Sequence, residues 1–149
     1  YTDLLMEADN SRLITKEKPL RANYGRIKGN RIAIKKDMIE IEKKCVLAEE
    51  IGHYHTTVGD ILNQNYTENR KQERRARIWA YNRLIALSDL VKAYQNGCQS
   101  QFEIAEYLEV TEEFLIDCIS YFHEKYGAYV QHQNYLIYFE SLDVLELYK

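Results

Sequence analysis

A helical pattern over residues 38–56 constrains this chain more than any other feature. Its apolar residues recur at the mixed spacings of three and four that mark one face of an α-helix: Ile39, Ile41, Val46, Leu47 and Ile51. Asp37 stands just before the segment and is predicted to cap its start. Gly52 lies near the other end, where its small size permits another backbone to come close. We therefore expect this helix to pack tightly against a second element.

Three polar side chains of this helix are spaced like the groups of a metal site. Glu49 and His53 are four residues apart, which places them about 40° apart around the helix and lets both reach one ion. Glu50 projects beside them, as the general base does in an H-E-x-x-H zinc helix, and Glu49 stands where the first histidine would be. The alternative interpretation is an i, i+4 surface pair worth a few tenths of a kcal/mol. His55 is turned about 200° from His53 and points away from it.

The segments on either side of this helix predict a small sheet and a connection. Residues 1–15 have the spacing of a short first helix, and Lys16 to Pro19 should end it. Residues 20–36 form two alternating stretches around Gly29-Asn30, which predicts a β-hairpin whose second strand is Arg31 to Lys35. Residues 57–69 are polar and turn-forming, so a loop is expected there.

A second amphipathic helix is predicted over residues 70–87. It carries a basic cluster of Arg70, Lys71, Arg74, Arg75 and Arg77, with Glu73 alone among these cations. Glu73 is either their ion-pair partner or a third metal ligand supplied by a second helix. The basic run is interpreted as a solvated helix face rather than a nucleic-acid site, because no aromatic residues are interleaved with it.

The chain changes character from Ser88 onward. Helices are predicted over 88–98, 100–108 and 111–126, followed by a hairpin over 128–139 that turns at Gln133-Asn134. This order matches the outline of a winged helix-turn-helix. Residues 88–149 nevertheless carry 3 basic and 11 acidic side chains, against 17 and 12 in residues 1–87. A region with a net charge of about −8 repels phosphate, so we expect no direct nucleic-acid partner.

Length and composition favour one domain, or one domain with a small appendage, in a reducing cytoplasm. The chain has 149 residues and 3 cysteines. Those cysteines lack C-x-x-C spacing, so neither a disulfide framework nor a thiolate zinc site is expected, and Cys45 is interpreted as packed rather than nucleophilic. No apolar run approaches the roughly 18 residues of a membrane span.

Two segments resemble the ImmA/IrrE family of zinc-dependent metallo-endopeptidases. Leu47 to His53 is similar to the family's L-A-H-E-x-G-H helix, and Gln72 to Ala80 is similar to its E-x-x-A-x-x-F-A helix, with Trp79 in place of Phe. The resemblance covers roughly residues 1–87, and the remainder looks like the tail of phage and mobile-element members. It implies that Glu50 is the general base, that His53 and Glu73 are metal ligands, and that Glu49 occupies the first ligand position.

The resemblance implies an α+β fold, mostly helical, with a small antiparallel sheet or hairpin packed on a zincin-like active-site helix and winged-helix-like C-terminal elements. The domains would be a peptidase core over 1–87 and an acidic tail over 88–149. The implied activity is zinc-dependent cleavage of a transcriptional repressor that silences a phage or mobile element. Two carboxylates in the set Glu49, His53 and Glu73 would raise the pKa of a bound water, so Mn²⁺ is an alternative ion. The alternative function is an inactive module that binds the repressor without cutting it.

Overall fold

The computed structural model describes residues 1–57 and 66–147. The chain has two compact units, Tyr1–Arg83 and Leu84–Lys149. The predicted fold class is confirmed, since the structure is α+β and mostly helical, with two small sheets. In the described part of the chain, none of the helices combines the length and the apolar character that crossing a bilayer requires.

The first unit contains three helices and a mixed sheet. Its elements are α1 (Thr2–Asn10), β1 (Ile14–Lys18), β2 (Gly25–Lys28), β3 (Arg31–Lys35), α2 (Glu40–Thr56) and α3 (Tyr66–Leu84). The strand order is β1-β3-β2, with β1 parallel and β2 antiparallel to the central β3. Ile32 and Ile34 of β3 are buried on the face of the sheet that packs against α2. Burial of this apolar face provides the main free energy that holds the sheet to the helix.

The predicted hairpin is confirmed. Strands β2 and β3 pair so that Ile27 lies opposite Ile32. The turn places Gly29 at a φ of 62°, a left-handed conformation that glycine adopts without the steric cost of a side chain. This turn fixes the register and therefore decides which side chains lie on each face of the sheet.

The prediction of a helix over residues 1–15 is wrong in its last third. The helix ends at Asn10, and Arg12 adopts a φ of 63°, which turns the chain. The Leu13 amide donates a hydrogen bond of 2.9 Å to the Ala8 carbonyl and closes this helix end. Residues 14–18 then form β1 and pair in parallel with β3. The segment expected to end the helix is thus part of a strand whose partner lies far along the chain.

Three other boundaries, the start of α2 and both ends of α3, differ from prediction. Asp37 does not cap α2, because the N-cap residue is Ile39, which makes no side-chain capping bond. Helix α3 begins at Tyr66 rather than at 70 and ends at Leu84 rather than at 87. The predicted loop over 57–69 is therefore wrong from Tyr66 onward, and its residues 58–65 lie outside the described residues.

The second unit has three helices followed by an antiparallel sheet. Its elements are α4 (Leu87–Gln95), α5 (Gln101–Leu108), α6 (Glu112–Tyr126), β4 (Tyr129–His132), β5 (Tyr135–Tyr138) and β6 (Asp143–Glu146). The predicted cap at Thr111 is confirmed, since its hydroxyl accepts a 3.0 Å bond from the Phe114 amide. The hairpin of β4 and β5 is confirmed as well, while β6, which pairs with β5, was not predicted. The core of the second unit includes the buried side chains of Leu115, Cys118, Phe122, Ile137 and Phe139.

Candidate active site

Helices α2 and α3 cross in close contact at Gly52. A methyl group added at Gly52 would collide with the backbone carbonyl oxygen of Ala76. Gly52 and Ala76 are both buried. Only a residue without a side chain permits this separation of the two backbones, as the sequence suggested for Gly52. The crossing brings together the polar side chains that each helix carries next to the contact.

His53 and Glu73 are the pair that this crossing brings together. The Nε2 atom of His53 lies 3.3 Å from Oε1 of Glu73. The His53 side chain is 17% exposed and that of Glu73 is 54% exposed, so the pair lies at the surface end of the helix contact. The two predicted ligands that come from different helices are therefore adjacent in space. An imidazole and a carboxylate at this distance can orient each other or share a bound cation.

Glu50 lies deeper than this pair. It is only 9% exposed. The pKa of its carboxyl is raised from an ordinary 4.5 to about 7, chiefly by burial and in addition by the nearby charges of Glu73 and then Glu49. A carboxyl with a pKa near neutrality can both accept and donate a proton under physiological conditions. Its environment suits the role of general base that the helix pattern predicted.

Gly25 of β2 contributes to the burial of Glu50, and sequence reasoning missed it. A methyl group added at Gly25 would lie 3.2 Å from Cγ and 3.3 Å from Oε1 of Glu50, and closer still to the Val46 side chain. The strand therefore runs directly over this part of α2. An isolated glycine inside a strand signals such a close approach, but the sequence does not say which element approaches.

Glu49, the third predicted ligand, lies on α2 one turn before His53 and is half-buried. One imidazole and two carboxylates are donors that zinc accepts. Within residues 1–57 and 66–147, however, no three His, Cys, Asp or Glu side chains are grouped so that they could hold a metal ion. The contact between His53 and Glu73 joins two of the three predicted ligands. The assignment of Glu49 as a ligand stays a prediction.

His55 lies on another side of α2, against α3. Its ring stacks on Trp79 with the ring centroids 5.1 Å apart and the planes 30° from parallel. Trp79 is the residue that stands where the resembling motif has Phe. The aromatic position of the second motif, Trp79 on α3, thus packs on His55 at the C-terminal end of α2, next to the candidate site.

One of three comparisons with known proteins found a match for this chain. The model of peptidase family M78, described as the IrrE N-terminal-like domain, matches residues 7–119. The match extends beyond residue 87, where the resemblance seen in the sequence motifs ended. Neither the curated proteins nor the solved structures contain a match. Because the family model covers well over half of the chain, the protein belongs to the M78 peptidase family of IrrE N-terminal-like domains.

Proposed function

We propose that the protein is an endopeptidase that cleaves a transcriptional repressor of a phage or mobile element in the cytoplasm of a bacterial host. Family membership supports a metallopeptidase-like fold. The repressor substrate follows from the resemblance to phage and mobile-element proteins. The observation that carries the proposal is the position of Glu50, a buried carboxyl with a pKa of about 7 beside His53 and Glu73.

Glu50 acts as the general base of the proposed reaction. Its carboxylate takes a proton from a water molecule while the water oxygen forms a bond to the carbonyl carbon of the scissile peptide. The protonated Glu50 then gives this proton to the peptide nitrogen as the C–N bond breaks. The products are a carboxylic acid and an amine, and Glu50 returns to its ionised form. A pKa close to the working pH favours both transfers.

Metal binding is a separate part of the proposal. The proposed ligands of Zn²⁺, or of Mn²⁺ as the alternative, are His53, Glu73 and Glu49. A bound ion would supply Lewis-acid polarisation of the scissile carbonyl. Within the described residues no three such donors are grouped around one point, so the proton transfers are assigned to Glu50 and not to the ion.

A second candidate function is a binding module that recognises the repressor without cutting it. Glu49 favours it, because a carboxylate stands at the position of the first histidine and is not grouped with His53 and Glu73 as a set of metal donors within the described residues. A peptidase fold retained without its chemistry would still present the surfaces that recognise the substrate.

Incubation with the repressor encoded beside the protein distinguishes the two functions. We expect wild-type protein supplied with zinc to cut the repressor at one position, as seen by mass spectrometry. Glu50→Gln should bind the repressor without cutting it, because the amide cannot take the proton. Glu42→Gln, on the same helix, is the matched control and should cut normally. Binding without cleavage by the wild type, at full zinc occupancy, would rule out the endopeptidase and support the binding module.

Metal content provides an independent test of the ligands. We expect the wild type to hold close to one zinc per chain by elemental analysis, and His53→Ala and Glu73→Ala to lose it. Glu49→Gln tests the third position, since loss of zinc in this variant supports Glu49 as a ligand. Unchanged zinc content in all three variants would show that the ion is bound elsewhere.

A further inference from the structure

The face of the first sheet that points away from α2 is strongly basic. The pairing of β1, β3 and β2 places the same set of alternate residues on this face. We call it the basic sheet face, and its charged members are Lys16, Lys18, Arg26, Lys28, Arg31 and Lys35. All are exposed except Lys35, which is half-buried. The cations come from three strands, so no run of charge in the sequence reveals them.

No carboxylate of these strands lies on the basic sheet face. Glu17 is the only acidic residue of β1, β2 and β3, and it points to the opposite face, where Lys43 donates a 2.5 Å hydrogen bond to it. Among the described residues, no carboxylate forms a salt bridge with any of the six cations of the face. Their positive charge is therefore not compensated within this part of the chain and is available to an anionic partner.

The density of the cations favours a nucleic acid over an acidic peptide. Alternate residues along a strand are about 6.7 Å apart and neighbouring strands about 4.8 Å apart, so six cations occupy an area of roughly 13 by 10 Å. A single nucleic-acid strand carries one negative charge for every 3.4 Å or so of its rise. A phosphodiester backbone can match this density along its whole length, whereas a peptide can do so only where acidic residues are consecutive.

An exposed aromatic ring and an open cavity lie on the same face. Tyr24 immediately precedes β2, alternates with Gly25 onto the basic side, and is 64% exposed. The Nζ atom of Lys35 lies 5.2 Å from the centre of its ring. The cavity of about 380 Å³ is lined by several of the cations and by Ile14, Leu20 and Ile32. A basic surface with an aromatic ring available for stacking is how proteins bind single strands without regard to sequence.

We propose that the basic sheet face binds single-stranded nucleic acid, with phosphates on the six cations and a base stacked on Tyr24. The site is on the opposite face of the sheet from α2, and it does not depend on the proposed peptidase activity. It departs from the expectation, drawn from the acidic charge of residues 88–149, that the protein has no nucleic-acid partner. That charge belongs to the second unit, while the basic sheet face lies entirely in the first.

Fluorescence anisotropy with the full chain tests the proposal. The probes are fluorescein-labelled 12-nucleotide oligo-dT and oligo-rU and a duplex of the same length, in 50–200 mM salt. We expect both single strands to bind, with a log–log salt slope no steeper than about −4, since each phosphate contact contributes roughly −0.7. The two arms distinguish DNA from RNA as the better ligand. Equal or tighter binding of the duplex would overturn the assignment to single strands.

Charge-matched variants locate the site. The double variant that combines Lys16→Gln with Lys28→Gln should weaken binding. It should also reduce the magnitude of the salt slope by about 1.4, the contribution of two phosphates. The control pair Arg75→Gln and Lys92→Gln removes the same charge from exposed helix positions and should bind like the wild type. Equal weakening by both pairs would mean that only total charge matters and would refute the site.

Tyr24 tests the stacking contribution separately. Tyr24→Ala should weaken binding several-fold at every salt concentration without changing the slope, and Tyr24→Phe should bind like the wild type, because both rings can stack on a base.

Poly-glutamate is the competing polyanion. If it binds the basic sheet face while neither oligonucleotide binds in 50 mM salt, the partner is an acidic polypeptide and the proposal fails. If the paired lysine variant does not fold, Lys18→Gln with Arg31→Gln replaces it.

Discussion

A carboxyl group buried beside two other carboxyl groups favours its neutral form, and Glu50 occupies such a place between α2 and β2. A glutamine of the same shape would carry no charge to bury there. The protein therefore retains an ionisable group at a position where its charge costs stability. Such groups occur most often at functional sites, which is why Glu50 has more weight here than the less buried carboxylates of the same helix.

The cost of ionising Glu50 is measurable as a pH dependence of stability. Its pKa is raised from 4.5 to about 7 in the folded protein. The folded protein is thus most stable with respect to Glu50 below pH 4.5, where this carboxyl is neutral in both the folded and the unfolded chain. That stability is lost as the pH rises from 4.5 through 7. In buffer with a metal chelator, Glu50→Gln should unfold at the same denaturant concentration as the wild type at pH 4.5. At pH 8 it should be more stable, by on the order of 3 kcal/mol.

Glu42→Gln is the control for this experiment. Glu42 lies two turns earlier on α2 and is less buried than Glu50, so its variant should follow the wild type at both pH values. A stability difference between Glu50→Gln and the wild type that does not change from pH 4.5 to pH 8 would contradict the raised pKa. Chemical denaturation monitored by circular dichroism is sufficient.

The three cysteines should differ sharply in reactivity. Cys45 and Cys118 are buried, and burial raises the pKa of the Cys118 thiol to about 12. Cys98 is half-buried, and burial followed by the charges of Glu103 and Glu106 raises its pKa as well. We expect a disulfide reagent to titrate one thiol slowly in the native protein and three in denaturant, because the thiolate is the reactive form. Cys98→Ser should remove the native reaction, and a remaining fast thiol would contradict the burial of the other two.

At the scale of elements, the crossing of α2 and α3 decides the geometry of the candidate site. Replacing a glycine inside a helix by alanine ordinarily stabilises the helix by up to about 1 kcal/mol. At Gly52 the sign should reverse, because the added methyl group meets the Ala76 carbonyl oxygen. We expect Gly52→Ala to lower the free energy of unfolding by about 1–3 kcal/mol or more, the usual cost of overpacking.

Thermal denaturation compares this variant with Arg75→Ala. Arg75 is exposed on α3, and alanine there should change stability by less than about 0.5 kcal/mol. Gly52→Ala should also separate His53 from Glu73 and lower the zinc content. Unchanged or increased stability of Gly52→Ala would show that the two backbones are farther apart than the structure has them.

The sequence predicted local features better than those formed by distant residues. The hairpin of β2 and β3 follows from Gly29-Asn30 between alternating strands, which is information held in a few adjacent residues. Strand β1 was missed because Leu13 and Ile14 continue the helical spacing of Leu4 and Ala8, and because its parallel partner lies 17 residues further along the chain, as in the pairing of Ile14 with Arg31. Leu4 and Ala8 of α1 are buried, as their helical spacing indicated. The chain nevertheless leaves the helix and turns at Arg12, where no glycine or proline in the sequence predicts a turn.

The candidate site shows the same limit. The spacing on one helix placed Glu49, Glu50 and His53 together, and the motif resemblance named Glu73 from a second helix. The distance of 3.3 Å between His53 and Glu73 depends on how α2 and α3 cross. The motif resemblance implies this crossing, but the spacing of residues along the chain does not. The burial of Glu50 by β2 depends on the sheet lying over α2. The basic sheet face could not be seen in the sequence, because it exists only after three strands pair.

At the scale of the whole molecule, the division into two units separates opposite charges. The cations of the basic sheet face belong to Tyr1–Arg83, whereas Leu84–Lys149 is strongly acidic. Each unit also has its own buried apolar core. A unit with its own core can fold alone when it buries enough surface, although units of about 60 residues are only marginally stable.

The second unit should therefore fold when it is expressed alone as residues 84–149. We expect this fragment to be helical and to unfold in one cooperative thermal transition, because α4 to α6 and the sheet of β4 to β6 share the core around Phe122. Phe122→Ala should abolish the transition, since truncating a buried phenylalanine costs about 3–5 kcal/mol, comparable to the total stability of so small a domain. Phe102→Ala, at an exposed position of α5, removes the same side chain and should leave the transition nearly unchanged. A fragment without a cooperative transition would mean that the second unit needs the first in order to fold.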